Sequence, residues 1–214
     1  MKIYGFPVSP FVRKVLVTAH EKGLDVEAVP SNPMQPDEAF LACSPYGKIP
    51  ALDDGGFKLA DSSAIVHYLE AKYPSPALMP KDPQALGKAV WFDEVGDTVV
   101  MAAGGPMMFN RFVRAKIMGE APDHVAAEAS EKVVTQRLPY LESVLGEDGW
   151  LDGAFSIGDI SVASVLKSFS YADWTLDRTA WPRIAAWYDR VSARPGWQKA
   201  AEVETAMMTA AGIG

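Results

Sequence analysis

The chain is poor in the residues that disulfide and metal chemistry require. Its 214 residues include 1 cysteine, Cys43, and 3 histidines, His20, His67 and His124. A single thiol cannot form an intramolecular disulfide or a cysteine-rich zinc site, and the histidines match no ligand spacing of the HExxH kind. No metal is expected. Positive charge is also short, with 20 Lys+Arg against 27 Asp+Glu and a net charge of −7. An acidic surface repels phosphates, so neither nucleic acid nor an anionic membrane is an expected partner. Long apolar runs are missing as well. The opening MKIYGFPVSPFVRK has one Lys and then ten uncharged residues broken by Pro7 and Pro10, where a signal peptide needs a continuous apolar helix. The uncharged stretch Thr98–Phe109 is too short to cross a bilayer and contains Gly104, Gly105 and Pro106. A reducing cytoplasm is the expected compartment.

Core-forming material, by contrast, is ample: 49% of the residues are apolar, with 6 Trp, 9 Phe and 7 Tyr. That excludes a disordered chain, and at roughly 150 residues per domain it fits one large domain or two small ones. Residues 1–75 alternate strand and helix signals. Lys2–Phe6 is a short β-prone run. Ser9-Pro10 then reads as a helix start, Phe11, Val12, Val15, Leu16 and Ala19 supply its apolar face, and Gly23 ends it. Asp25–Val29 reads as a strand and Asp37–Ala42 as a short helix. Ala51-Leu52 and Phe57–Leu59 flank the turn Asp53-Asp54-Gly55-Gly56, and Asp61-Ser62-Ser63 opens a helix stopped by Pro74. The order is β-α-β-α-β-β-α. Residues 76–84 form a proline-rich linker, and 85–214 read as helical throughout, with runs at Ala85–Val100, Ala121–Leu145, Ile160–Phe169 and Trp181–Ala193.

Three segments can carry chemistry, and each also has an ordinary reading. In Gly47-Lys48-Ile49-Pro50-Ala51 a proline opens a strand, a place for an edge or a special geometry. A cis bond there would turn the backbone of Ile49 outward to pair with an extended peptide, whereas most X–Pro bonds are trans. Asp61-Ser62 can cap its helix, or Ser62 can take a ligand carboxylate at the helix N-terminus while Asp61 holds an ammonium. The hydroxyl of Ser9 can cap its helix or stabilise a thiolate there, with Tyr4 and Tyr46 as rival hydroxyls.

Taken in order, the strand followed by Ser9-Pro-Phe-x-Arg13, then SPYGKIPAL, LADSSAI, a proline linker and an all-helical half resembles the cytosolic glutathione transferases over nearly the whole chain. Phe155-Ser156-Ile157-Gly158-Asp159-Ile160 is similar to that family's capping box and hydrophobic staple, and WPRIAAWYDRVSARPGW is similar to its penultimate helix. The spacing of Ser9 to Arg13 matches serine-type, bacterial-like members. Tyrosine-type members place the hydroxyl at the end of the first strand, where Tyr4 stands.

The resemblance implies a thioredoxin-like domain over residues 1–75 that binds glutathione as co-substrate, and an all-α domain over residues 85–214. Ile49, before Pro50, would pair with the cysteinyl backbone of glutathione. Asp61 and Ser62 would hold its γ-glutamyl end, and Lys48 would neutralise a carboxylate. Asp97 would reach the γ-glutamyl amine across a homodimer. Ser9, with Tyr4 as the alternative, would activate the thiol. Moving a thiol pKa from about 9 to about 6.5 takes ~3.4 kcal/mol, within reach of a charged hydrogen bond of ~1.5–3 kcal/mol and a helix dipole of ~0.3–1 kcal/mol. The apolar electrophile would lie between the domains. Phe6, Val8 and Phe11 would line its site on one side and Met101, Met107, Met108, Phe109 and Phe112 on the other, near a helix break at Gly104-Gly105-Pro106. Each of these Met and Phe can equally be core. Conjugation, or ether or halide cleavage, is the expected reaction. A glutathione-dependent peroxidase or disulfide reductase and a non-catalytic binding module are the alternatives. Cysteine-type members carry Cys where Ser9 stands, so Cys43 reads as a small buried residue.

Overall fold

The computed structural model describes residues 1–213, which divide into two compact units, one of Met1–Leu78 with Ser192 onward and one of Met79–Val191. Unit 1 contains β1 (Lys2–Tyr4), α1 (Pro10–Glu21), β2 (Glu27–Val29), α2 (Glu38–Cys43), β3 (Ala51–Asp54), β4 (Phe57–Ala60) and α3 (Ser62–Lys72). This is the thioredoxin-like order expected from the sequence. The sheet runs β2-β1-β3-β4, with β1 and β2 parallel and the other pairs antiparallel. Side chains alternate across it. Ile3 and Leu52 are fully buried and face each other in register, while Tyr4 and Ala51 point the other way into a cluster with Phe40 and Cys43 of α2. The β3–β4 turn runs through Gly55 and Gly56, both at positive φ, as the Asp-Gly-Gly composition predicts.

The expectation that residues from 85 onward form one domain meets a difference here. The helix α10 (Pro195–Ala210) belongs to unit 1 and packs antiparallel on α1. A buried ion pair fixes one end, where Arg13 Nε donates to Glu204 Oε2 at 2.9 Å. At the other end the Glu21 carboxylate accepts from Arg194 at 2.6 Å and from the Gly196 N–H at 3.1 Å. A side chain at Gly196 would run into Glu21, with a Cβ only 2.6 Å from its backbone nitrogen.

Unit 2 is helical among its described residues. It comprises α4 (Pro83–Glu94), α5 (Met101–Met108), α6 (His124–Thr135), α7 (Leu138–Val144), α8 (Ile157–Phe169) and α9 (Pro182–Ser192), the last closing at the unit boundary. Its axis is α8, buried along almost its whole length. The capping box expected at Ser156 and Asp159 is present, and Asp159 also accepts from the Leu151 N–H at 2.9 Å and from Trp187 Nε1 at 2.7 Å. Phe155 pairs edge-on with Trp150.

Two expectations in unit 2 are corrected. Ala121–Leu145 is two helices, because Pro139 cannot donate to a continuing helix. Nor is there a break at Pro106: the backbone stays helical from α4 through α5 to Ile117. Ala102, whose carbonyl Pro106 leaves unbonded, is exposed to water, and wider π-helical stretches at Val95–Val100 and Phe109–Ile117 flank α5.

Candidate active site

Sheet register assembles the site. Tyr4 pairs with Ala51, and Ala51 with Ala60, so one row crosses β1, β3 and β4. The chain beyond Tyr4, before Ala51 and beyond Ala60 therefore emerges at one end of the sheet. The segments Gly5–Ser9, Lys48–Pro50 and Asp61-Ser62 come together there. Gly5, at φ +149, lies so close to its neighbours that a Cβ would be 2.5 Å from Val12 and 3.3 Å from Ile49.

Ser9 is the half-buried N-cap residue of α1. Its N–H donates to the Phe6 carbonyl at 2.9 Å and its carbonyl accepts from the Arg13 N–H at 3.0 Å, but its hydroxyl makes no capping hydrogen bond. Tyr4 is buried against Phe40, and burial, with Cys43 and Asp53 nearby, pushes its pKa up. Burial also raises the Cys43 thiol, the opposite of what a reactive cysteine needs.

The Ile49–Pro50 bond is cis. Among the described residues, the loop and turn backbone hydrogen bonds include none from the Ile49 N–H or to its carbonyl. Lys48 is exposed, and its backbone is held by Ser44, whose buried hydroxyl donates to the Lys48 carbonyl at 2.7 Å and accepts its N–H at 2.9 Å. The sequence reading missed that lock, although Ser44 opens the SPYGKIP segment. Asp61 sits at φ +84, a strained conformation for a residue with a side chain, and its Oδ1 accepts the Ala64 N–H at 3.0 Å. Ser62 follows as the buried first residue of α3, where its N–H has no acceptor within the helix. Asp61 therefore does cap α3, through one of its two carboxylate oxygens.

In unit 2, Asp97 lies on the first π-helical stretch and accepts the Ser161 hydroxyl at 3.1 Å. Met107 is fully buried, with Met108 and Phe112 nearly so, Phe112 lying 5.7 Å from Tyr171 between ring centroids. Phe109 is half-exposed and Met101 half-buried, whereas in unit 1 Val8 is buried and Phe6 and Phe11 are half-buried. Among the described residues no group of three or more His, Cys, Asp or Glu side chains is placed to hold a metal. No helix is long and apolar enough to cross a membrane.

A four-stranded mixed sheet with two helix N-termini at one end, and a separate helical unit, defines the two-domain architecture of the cytosolic glutathione transferases. Residues 3–77 match the family description "Glutathione S-transferase, N-terminal domain", and residues 125–190 match "Glutathione S-transferase, C-terminal domain". Glutathione S-transferase 3 of Zea mays is 35% identical, across 93% of this chain and 92% of its own, and a glutathione S-transferase of Hyoscyamus muticus is 31% identical across 94% and 98%. A crystal structure of a Rhodospirillum rubrum glutathione S-transferase superposes with a TM-score of 0.87 at 29% identity, covering 93% of this chain and 90% of the other. The chain belongs to the glutathione S-transferase family.

Proposed function

We propose that this chain is a serine-type glutathione transferase, converting bound glutathione to its thiolate and directing it at an apolar electrophile. The carrying observation is Ser9. A hydroxyl stands at the N-terminus of α1, where the helix dipole favours negative charge, and it is not committed to capping. In the proposed step the thiol gives up its proton to water. The thiolate, accepting the Ser9 hydrogen bond, then forms a sulfur–carbon bond, and the electrophile's leaving group, halide or ether oxygen, departs with the electron pair. A maize glutathione S-transferase I has been solved with an atrazine glutathione conjugate, which supports the same chemistry here. The raised Cys43 thiol speaks against a reductase built on a protein cysteine.

In this reading Ile49 pairs with the cysteinyl backbone of glutathione, beside Pro50. Ser62 and the second oxygen of Asp61 take the γ-glutamyl end, and exposed Lys48 faces a carboxylate. Of the apolar residues expected to meet the electrophile, Phe6 and Phe11 keep accessible surface in unit 1, and Met101 and Phe109 keep it in unit 2. Met107 has no accessible surface to offer it. We also propose a cytoplasmic homodimer, for which the exposed, mutually packed rings of Trp91 and Tyr140 are available apolar surface. Val95, on the same helical run, is buried and contributes nothing to that surface. Sedimentation at one chain mass at micromolar concentration would remove the dimer and any role of Asp97 across it.

Titration of the bound thiol tests the central reading. Ser9→Ala should raise its pKa by about 1–2 units and lower the rate near pH 6.5 by roughly ten- to a hundredfold, recovering at higher pH. Glutathione affinity should change little. A shift in Tyr4→Phe but not in Ser9→Ala would transfer the role to Tyr4.

A further inference from the structure

Ser44 stands where α2 ends, and it is buried. Its N–H donates to the Phe40 carbonyl at 2.8 Å, which already closes the helix. Its carbonyl accepts the Gly47 N–H at 2.9 Å, closing a turn with Pro45 second and Gly47, at φ +63, fourth. The hydroxyl is needed for neither task. It spans the next residue of the chain instead, accepting the Lys48 N–H at 2.9 Å and donating to the Lys48 carbonyl at 2.7 Å. A serine hydroxyl has one proton to give, and here that carbonyl receives it.

The Lys48 carbonyl and the Ile49 N–H belong to one planar peptide unit, which is trans, so they point in opposite directions. With the carbonyl held toward Ser44, the Ile49 N–H is turned away from it. The Ile49 side chain packs on the cluster of Tyr4, Phe40, Cys43 and Ala51, which anchors the residue at a second point. We infer that Ser44 is a positioning residue that aims the Ile49 N–H at the cysteinyl carbonyl of glutathione. This rests on the pairing of Ile49 proposed above. Ser44 does not touch the ligand in this arrangement. Its effect is on affinity, not on the acidity of the thiol.

The experiment compares two ligands, glutathione and an analogue in which an E-alkene replaces the cysteinyl–glycine peptide bond. The alkene keeps the thiol and both carboxylates but offers the Ile49 N–H no acceptor. Ser44→Ala should weaken glutathione binding by about three- to tenfold, the worth of one neutral hydrogen bond, and the alkene by less than about twofold. In turnover the loss should appear in KM for glutathione and not in kcat, with the pKa of the bound thiol unmoved. A general loosening of the loop, or a displaced Lys48, would weaken both ligands alike. Equal weakening of both, or of neither, overturns the inference. Ser44→Cys keeps a side chain of similar shape with a much weaker hydrogen-bonding group, and should discriminate in the same sense should Ser44→Ala fold poorly. The wild-type protein separates the two layers. If it binds the alkene as tightly as glutathione, the pairing of Ile49 itself fails. If it binds the alkene more weakly while Ser44→Ala shows no discrimination, only the role of Ser44 falls.

Discussion

Ser9 and Ser156 occupy the same position, the N-cap of a helix, with extended backbones, and they use their hydroxyls differently. Ser156 is buried; its Oγ accepts the Gly158 N–H at 3.3 Å, and Asp159 returns the favour by accepting the Ser156 N–H at 2.9 Å. Ser9 is half-buried and its hydroxyl caps nothing. The residues that follow explain the contrast. The third position of α8 is Asp159, which completes a reciprocal box, whereas the third position of α1 is Val12 and its first is Pro10, with no N–H to satisfy. One helix end is closed for stability. The other is left open, its N–H groups available to a negative charge.

This contrast can be broken or sharpened by mutation. The largest effect is expected at the closed end. Asp159→Ala leaves the N–H groups of Leu151, Ser156 and Trp187 without their acceptor and should cost about 3–5 kcal/mol in denaturant unfolding, as breaking buried charged networks does. Ser156→Ala removes only the cap and should cost about 1 kcal/mol, leaving the titration of bound glutathione untouched. A smaller effect is expected at the far end of α1. The His20 ring nitrogens are buried, and that burial, with Lys199 nearby, holds its pKa below the usual value of 6.5. Because the unfolded chain binds that proton more readily, the contribution of His20 to stability is complete above pH 6.5 and is lost as pH falls through the folded pKa. In His20→Gln, unfolding measured across this range should lose that part of its acid sensitivity; an unchanged pH dependence would put the sensitivity elsewhere. The smallest effect belongs to Ser9→Ala, whose stability should stay within about 0.5 kcal/mol of wild type. A loss near 1 kcal/mol would mean that Ser9 caps after all, and the contrast with Ser156 would collapse.

Much of this architecture is legible in the sequence because its boundaries are chemically marked. Pro7, Gly23, the Asp-Gly-Gly turn and Pro74 punctuate the β-α-β-α-β-β-α order, and register alone then gathers Ser9, Ile49 and Asp61 at one sheet end. Other features carry no local mark. Arg13 and Glu204 are 191 residues apart, so nothing near either predicts their pairing or the return of α10 to unit 1. Arg13 and Lys14 lie inside the apolar run Phe11–Val17, and nothing in that run predicts which partners receive them. Whether a serine at an N-cap actually caps depends on side-chain rotation, which residue type does not determine. Pro106 misled for a related reason: a proline breaks a helix only where the lost hydrogen bond cannot be offset, and here the residue that loses it, Ala102, lies on the exposed side of the helix.

The return of α10 has a consequence for how the molecule is made. A ribosome delivers the chain in sequence order, and Met79–Val191 emerges before the first residue of α10 follows it. The second unit in sequence can thus finish folding before the first. Until then α1 is exposed along the side that α10 will cover, with Arg13 still lacking its carboxylate and the apolar surface around it open to other chains. For a nascent chain, the vulnerable interval is set by the distance between Arg13 and Glu204 along the sequence, not by the size of either unit.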